Sequence, residues 1–555
     1  MLRVRRLIDM TDWRKQVQAE LDALTKRNTV CGLWRRDPDT WASPSPGGTP
    51  ASDAAGWLDL PGQMDGLIGE LKEFTNDVRS DGFTDVILLG MGGSSLGPLV
   101  IGRIFGTNRG YLNLHVLDST LPGQIKAIRD RVNLRRTLIL ISSKSGTTME
   151  PLTLARYFRQ QLFEVGVENP DNHFVAVTDA GSALDALANE RGFRHSFNAP
   201  SDVGGRFSVL SYFGLLPAAL IGLDIEKLCE PAVDMAVTCR KNAPENPGAV
   251  LGAILGALAA EGRDKVTIVA SPALDSFGLW VEQLLAESTG KNGRGLVPVA
   301  QEPLYDVPKY AQDRNFIYVR LSGDDNSSTD AHVDALERAG HPVTRLELAD
   351  KNDIGAEFFR WQFAVAVAAT SIYVYPFDQP DVESGKELTR NLLAASEGVS
   401  QTLPDSPDMK QISDVLNGVD QGDYVAIFGY VPESDEVDSA VTALRAAITK
   451  STGAATTFGY GPRYLHSTGQ LHKGGPDSVI GLALVAGNDS ALAVPRAESG
   501  VGNGNDYGFE FLFIAQVMGD LETLHANGHR NTLAVLNKPY PEAIRNIAAL
   551  LNTAP

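Results

Sequence analysis

Short apolar runs, each closing on a turn of small residues and each followed by a helical pattern, dominate the first half of this chain. "FTDVILLG" (83–90), "LNLHVLD" (112–118) and "TLILISS" (137–143) are too short and too uniformly apolar for amphipathic helices. They read as strands buried on both faces. Strands that alternate with helices pack as a parallel sheet covered by helices. The alternation breaks at "CRKNAPENPG" (239–248) and restarts with "KVTIVA" (265–270), a helix over 276–288, "NFIYVRL" (315–321), "VTRLELA" (343–349) and a long helix at about 353–370. "TLPDSPDMK" (402–410) breaks it again. "DYVAIFGYV" (423–431), a helix near 436–449, "SVIGLALVAG" (478–487) and "TLAVLNK" (532–538) then form a third, smaller unit. The expected division is a Pro-rich lead-in over 1–62, units over 63–238 and 239–402, and a C-terminal α/β segment over 403–555.

Bulk properties narrow the function. The 555 residues are 43% apolar and 21% charged, an ordinary globular composition. A net charge of -19 argues against nucleic acid or an anionic membrane as partner, since both attract basic surfaces. It leaves room for a small anionic substrate. The longest apolar stretches, such as "GAVLGAILGALAA" (248–260), fall short of the roughly 18 residues of a membrane span. They read as core helices, with Gly248, Gly252 and Gly256 on one face. Three cysteines, Cys31, Cys229 and Cys239, fit structural thiols in a reduced, cytoplasmic compartment. The start of the chain lacks the apolar core of a signal peptide.

Six stretches carry chemistry. "LLGMGGSSLGP" (88–98) is a glycine-rich turn after a strand, placing Gly93 and Ser94 where backbone can approach a ligand. A dinucleotide site is the competing reading, with Asp118 as ribose acid, but Ser95 stands where the third glycine of the fingerprint belongs. "ISSKSGTTME" (141–150) crowds Ser143, Lys144, Ser145, Thr147 and Thr148 into a strand-to-helix turn. One hydroxyl would cap the helix; this many suit phosphate oxygens. No Walker pattern occurs, so the phosphate belongs on a small substrate rather than a nucleotide.

In "VGGRFSVLSYFGLLP" (203–217), Arg206 is either a surface ion pair or a cation for a developing oxyanion. In "WVEQLLAESTGKNG" (280–293), Gln283 and Glu287 share a helix face. Glu287 is a solvated carboxylate or a general base whose pKa the helix C-terminus raises. "YPFDQPDVESGKELTRNLL" (375–393) presents Gln379 on a turn and Lys386 on the next helix. "GYGPRYLHSTGQLHKGGP" (459–476) holds His466 and His472 in a Gly-rich loop without the carboxylates or thiols of a metal site. It reads as a loop packed near a substrate site.

In this order the stretches resemble the glucose-6-phosphate isomerase family, over roughly residues 60–400. The resemblance implies two flavodoxin-like sugar-isomerase (SIS) domains, parallel sheets flanked by helices, with the smaller C-terminal α/β segment appended. "GLWRRDPDTW" and "HSTGQLHKGGP" look most like the isomerase half of bacterial bifunctional transaldolase/glucose-6-phosphate isomerases. The resemblance implies that Ser143, Ser145 and Thr148 hold a 6-phosphate, with Gly93 and Ser94 beside the sugar. Glu287 would move a proton between C1 and C2, Arg206 would stabilise a cis-enediolate, Gln283 and Gln379 would position hydroxyls, and Lys386 would assist ring opening. No metal or organic cofactor is implied, and a homodimer is. The family also places a histidine between the glutamate and the lysine. Here only His332 and His341 lie there, in no matching motif, so His466 or His472 is expected to take that role. Two other readings keep the fold: an isomerase that also accepts mannose 6-phosphate, and a non-catalytic sugar-phosphate sensor.

Overall fold

A computed structural model describes residues 12–382, 403, 409–487, 492–495 and 508–553. Three parallel sheets run through them. The first joins β1 (Asp85–Gly90), β2 (Asn113–Leu117), β3 (Thr137–Ser142), β4 (Phe174–Asp179) and β5 (His195–Ala199) in the order β2-β1-β3-β4-β5. This is the flavodoxin-like order. The second joins β6 (Lys265–Ala270), β7 (Val297–Val299), β8 (Arg314–Leu321) and β9 (Val343–Leu348) as β7-β6-β8-β9. The third joins β10 (Tyr424–Tyr430), β11 (Ala455–Tyr460), β12 (Val479–Ala486) and β13 (Arg530–Leu536) as β11-β10-β12-β13. The α/β architecture with helix-flanked parallel sheets is the one expected. The third sheet has as many strands as the second, in the same winding.

Every residue of β3, β10 and β12 is buried. That explains why these runs read as continuously apolar: helices cover both faces of the sheet. Four strands have no counterpart among the apolar runs above. β4 and β5 carry Thr, Asp, His and Asn, β7 is three residues long, and β11 begins in a Thr pair.

The glycine-striped stretch is the helix Pro247–Ala260, and it packs on the helix Ile354–Ser371. A Cβ on Gly252 would lie 2.6 Å from Ala364 O and 2.7 Å from Val367 Cβ. The glycines are there for close helix contact. No described helix is long and apolar enough to cross a membrane.

The third unit is bolted to the second sheet. Arg445, on the helix Asp435–Thr452, donates to Ala300 O at 3.0 Å and Gln301 O at 2.8 Å. Glu302 accepts from Thr456 N at 3.0 Å and from Arg314 at 2.7 Å. The edge strands β7 and β11 lie beside one another across this seam.

Candidate active site

In the β2-β1-β3 order the chain reverses direction of winding between β1 and β3. Loops leaving the carboxyl ends of those two strands therefore part and open a crevice. The glycine-rich turn leaves β1 and the hydroxyl-rich loop leaves β3, with Gly90 paired to Ser142 at the strand ends. Both loops flank the same opening.

The hydroxyl loop is a compact turn. Gly146 has φ +66, and a Cβ there would lie 2.5 Å from Leu184 N, so glycine is required. Ser143 Oγ donates to Thr148 Oγ1 at 3.1 Å, and the Ser145 and Thr147 hydroxyls lie 3.0 Å apart. Thr148 precedes the helix Met149–Glu164 but makes no side-chain cap. Ser145 and Thr147 are exposed. The hydroxyls are thus gathered without capping the helix. Lys144 turns away from them: its Nζ donates to Asp179 Oδ2 at 2.6 Å and Ser201 O at 2.8 Å.

The glycine-rich turn is built for contact. Gly92 has φ +55, and a Cβ there would meet His466 O at 2.2 Å and Gln283 Nε2 at 2.9 Å. A Cβ on Gly93 would meet Gly205 O at 2.1 Å. The turn is therefore pressed between the Arg206 loop, the Gln283 helix and the third unit. Ser94 is buried beside it.

Arg206 and Glu287 meet in a buried pair. Nη1 of Arg206 lies 3.1 Å from Oε1 of Glu287, with the side chains 3% and 13% exposed. The guanidinium also donates to Ser288 Oγ at 2.8 Å, Gln379 Oε1 at 2.9 Å, Pro376 O at 2.6 Å and Asp378 O at 3.1 Å. Burial pushes its pKa down, and the Glu287 and Asp378 carboxylates oppose that. Glu287 lies in the last turn of the helix Phe277–Thr289, where its second oxygen accepts from Gln283 Nε2 at 3.0 Å. Gln283 Nε2 also donates to His466 O at 3.1 Å, while its buried Oε1 has no partner among the described residues. Of the alternatives open in the sequence, the surface ion pair for Arg206 and the solvated carboxylate for Glu287 do not hold, since both side chains are drawn in by the fold. Gln379 is exposed at the rim. Lys386 lies outside the described residues.

Lys291 escaped the sequence reading. Its Nζ, 1% exposed, donates to Asp378 Oδ1 at 2.8 Å, Tyr375 O at 2.8 Å and Asp378 O at 2.5 Å. Burial, then repulsion from Arg206, pushes its pKa down to about 8, against the pull of Asp378. It pins the turn whose carbonyls receive Arg206. The "STGK" spacing after Glu287 was the available signal.

The two candidate histidines part company. His466 reaches the first unit, with Nε2 3.0 Å from Oε1 of Glu150, the second residue of the helix after the hydroxyl loop. His472 does not: it is buried in the third unit's core with Nδ1 2.9 Å from Tyr424 OH, and burial pushes its pKa down to about 3. Its packing against Phe428 and Tyr464 keeps it from the Glu287 cluster. His332 and His341 sit against Tyr310 and Phe316 of the second unit. Asp118 is likewise spoken for. Arg463 holds it through Nε at 2.7 Å and Nη2 at 2.8 Å, in a buried bidentate pair, so the ribose-acid reading fails. Among the described residues no group of His, Cys, Asp and Glu has the makings of a metal site.

The three parallel sheets define a doubly wound α/β protein, with the buried Arg206–Glu287 pair and the hydroxyl-rich loop as its candidate site. Comparison with known proteins narrows the class. Residues 59–296 match the family model for phosphoglucose isomerase. A glucose-6-phosphate isomerase of Rubrobacter xylanophilus is 32% identical over 389 residues, spanning 62% of this chain and 90% of that protein. One of Thermosynechococcus vestitus is 30% identical over 462 residues, spanning 73% and 84%. Among solved structures, a hypothetical protein of Thermus thermophilus superposes with a TM-score of 0.60 at 26% identity, over 71% of this chain and all of that one. A Chlamydia trachomatis glucose-6-phosphate isomerase shares the fold with a TM-score of 0.58 at 17% identity, over 72% and 89%. The chain belongs to the glucose-6-phosphate isomerase family.

Proposed function

We propose that the protein interconverts glucose 6-phosphate and fructose 6-phosphate. The observation that carries this is the Arg206–Glu287 pair, buried at 3.1 Å with Gln283 on the second carboxylate oxygen. An aldose–ketose shift needs one base that carries a proton between adjacent carbons and one cation for the oxyanion formed between. On this reading the phosphate lies on Ser143, Ser145, Thr147 and Thr148, and the sugar passes Gly93 and Ser94 toward Glu287. Glu287 takes the proton from C2 of the open-chain aldose; the electrons move to O1, giving a cis-enediolate beside Arg206. A proton passes from O2 to O1, the same carboxyl returns its own proton to C1, and C2–O2 becomes the ketone while O1 is left as a hydroxyl. Gln283 and Gln379 orient hydroxyls. A sensor of sugar phosphate would need the hydroxyl loop but not this pair.

His466 is the histidine we assign to ring opening, since it is the one held against the first unit, with Lys386 as its assistant. Lys144 is assigned to the loop's support through Asp179. Within the family, "GLWRRDPDTW" and "HSTGQLHKGGP" liken the chain most to the isomerase half of the bifunctional transaldolase proteins. A cytoplasmic homodimer, divided at about residues 62, 238 and 402, completes the proposal. A coupled assay for fructose 6-phosphate formation tests the reading, with mannose 6-phosphate as the second substrate. Turnover of glucose 6-phosphate that disappears in Glu287→Gln, with phosphosugar binding retained, supports it; undiminished turnover in that variant refutes the assignment.

A further inference from the structure

The helix Phe509–Ala526 belongs to the third unit, yet one of its side chains reaches the first. Gln516 is 2% exposed. Its Nε2 donates to Glu150 Oε1 at 2.8 Å, the same oxygen that faces His466 Nε2 at 3.0 Å. Its Oε1 accepts from Thr120 Oγ1 at 2.6 Å. Thr120 is wholly buried, just past the end of β2, and Glu150 is 6% exposed. Two residues of the third unit, Gln516 and His466, therefore converge on one carboxylate of the first, and Thr120 backs one of them.

The orientation of the amide is dictated by its neighbours. An ionised carboxylate accepts only, so the face of Gln516 toward Glu150 has to be the NH2 group. Its carbonyl then faces Thr120, whose hydroxyl donates to it. Thr120 thus locks Gln516, Gln516 holds Glu150, and Glu150 fixes the tilt of the His466 ring. In a buried setting such a chain holds geometry tightly, because each unmade bond leaves a polar group without water. The same His466 residue presents its carbonyl to Gln283, beside Glu287. A slip of that turn would be felt at both ends of the site.

We propose that Gln516, locked by Thr120, is a positioning residue for His466: the third unit aims the ring-opening histidine through the carboxylate of Glu150. This deepens the function proposed above and rests on it. It also gives the C-terminal unit a role in the reaction beyond burying its own core. No relayed proton is required; Gln516 acts by holding Glu150 Oε1 in one place.

The test uses the full-length protein with Gln516→Met, which keeps length and loses the donor, and Thr120→Val, which keeps shape and loses the lock. Each is measured on glucose 6-phosphate and on a shorter aldose phosphate that lacks the hydroxyls for ring closure. We expect kcat on glucose 6-phosphate to fall about tenfold in Gln516→Met, less than the roughly 10²–10⁴ of a positioned acid–base group itself because Gln516 acts through another residue, with KM within about twofold. Turnover of the open-chain substrate should change less than about twofold, and Thr120→Val should give the same pattern more weakly. Circular dichroism and thermal melting establish that each variant is folded; Thr120→Val carries the test if Gln516→Met is not. Equal loss on both substrates means a merely structural role and overturns the proposal, as does unchanged kcat in both variants. An unaltered protein that turns over neither substrate overturns the proposed function and this inference together, whereas normal turnover with indifferent variants overturns the inference alone.

Discussion

Arg206 grips Glu287 at 3.1 Å while the same guanidinium holds Gln379 at 2.9 Å and two carbonyls of the 376–378 turn. The cation is thus pinned before any substrate arrives, and in the proposed reaction it is already in place when charge develops beside it. Preorganised charge of this kind costs no rearrangement at the moment of reaction.

Glu287→Gln preserves the shape of the site and removes the proposed proton carrier. Turnover should fall by about 10²–10⁴, the usual worth of a positioned base. Binding of a phosphosugar, followed by calorimetry, should persist.

Arg206→Lys keeps one positive charge but loses the planar fork that reaches Ser288, Gln379, Pro376 and Asp378 together. A fall in kcat of about 10²–10³ is expected from steady-state kinetics. The unpaired carbonyls should also lower stability by about 1–3 kcal/mol in urea titrations.

Gly92→Ala sets a methyl 2.2 Å from His466 O at a residue with φ +55. The strain should cost on the order of 1–3 kcal/mol. Because the obstruction also displaces Gln283 Nε2, kcat should fall together with the melting temperature.

Lys291→Met strands the buried Asp378 carboxylate. Removing one partner of such a pair costs about 3–5 kcal/mol. Denaturant unfolding at neutral pH measures it, and catalysis at 25 °C should suffer too as the Arg206 turn loosens.

His472 supplies an acid-sensitive element. Its folded-state pKa, about 3, lies below the ordinary 6.5 because burial disfavours the charged ring. On acidification the unfolded chain therefore takes up the proton first, so stability is complete above pH 6.5 and declines as pH falls toward 3. At pH 4.5 the loss from this group should be roughly 2–3 kcal/mol. His472→Asn should flatten that part of the stability–pH curve, read from urea midpoints at pH 7 and 4.5.

Much of the fold was legible because the strands of a parallel sheet are apolar throughout. "TLILISS" and "SVIGLALVAG" could hardly be anything else. β5 and β11 were not, since His195, Asn198 and the Thr456–Thr457 pair break the pattern. The hydroxyl loop was legible by its composition at a turn, whereas Arg206 and Glu287 stayed two-sided by composition and spacing and were singled out only by the family resemblance. What sequence could not supply was pairing. The partners of Lys144, Asp118 and Gln283 come from 35, 345 and 183 residues away, and no local pattern encodes such distances. His466 and His472, six residues apart, looked equivalent; only the packing of Tyr424 and Phe428 around one of them tells them apart.

The contact of His466 with Gly92 and Glu150 has a consequence for biosynthesis. A ribosome making this chain finishes the hydroxyl loop more than three hundred residues before it reaches His466. Until the third sheet has formed, the earlier loops lack the contacts that His466 and Gln516 make in the folded protein. The nascent polypeptide therefore carries the hydroxyl loop long before the histidine that meets the helix behind it has been made.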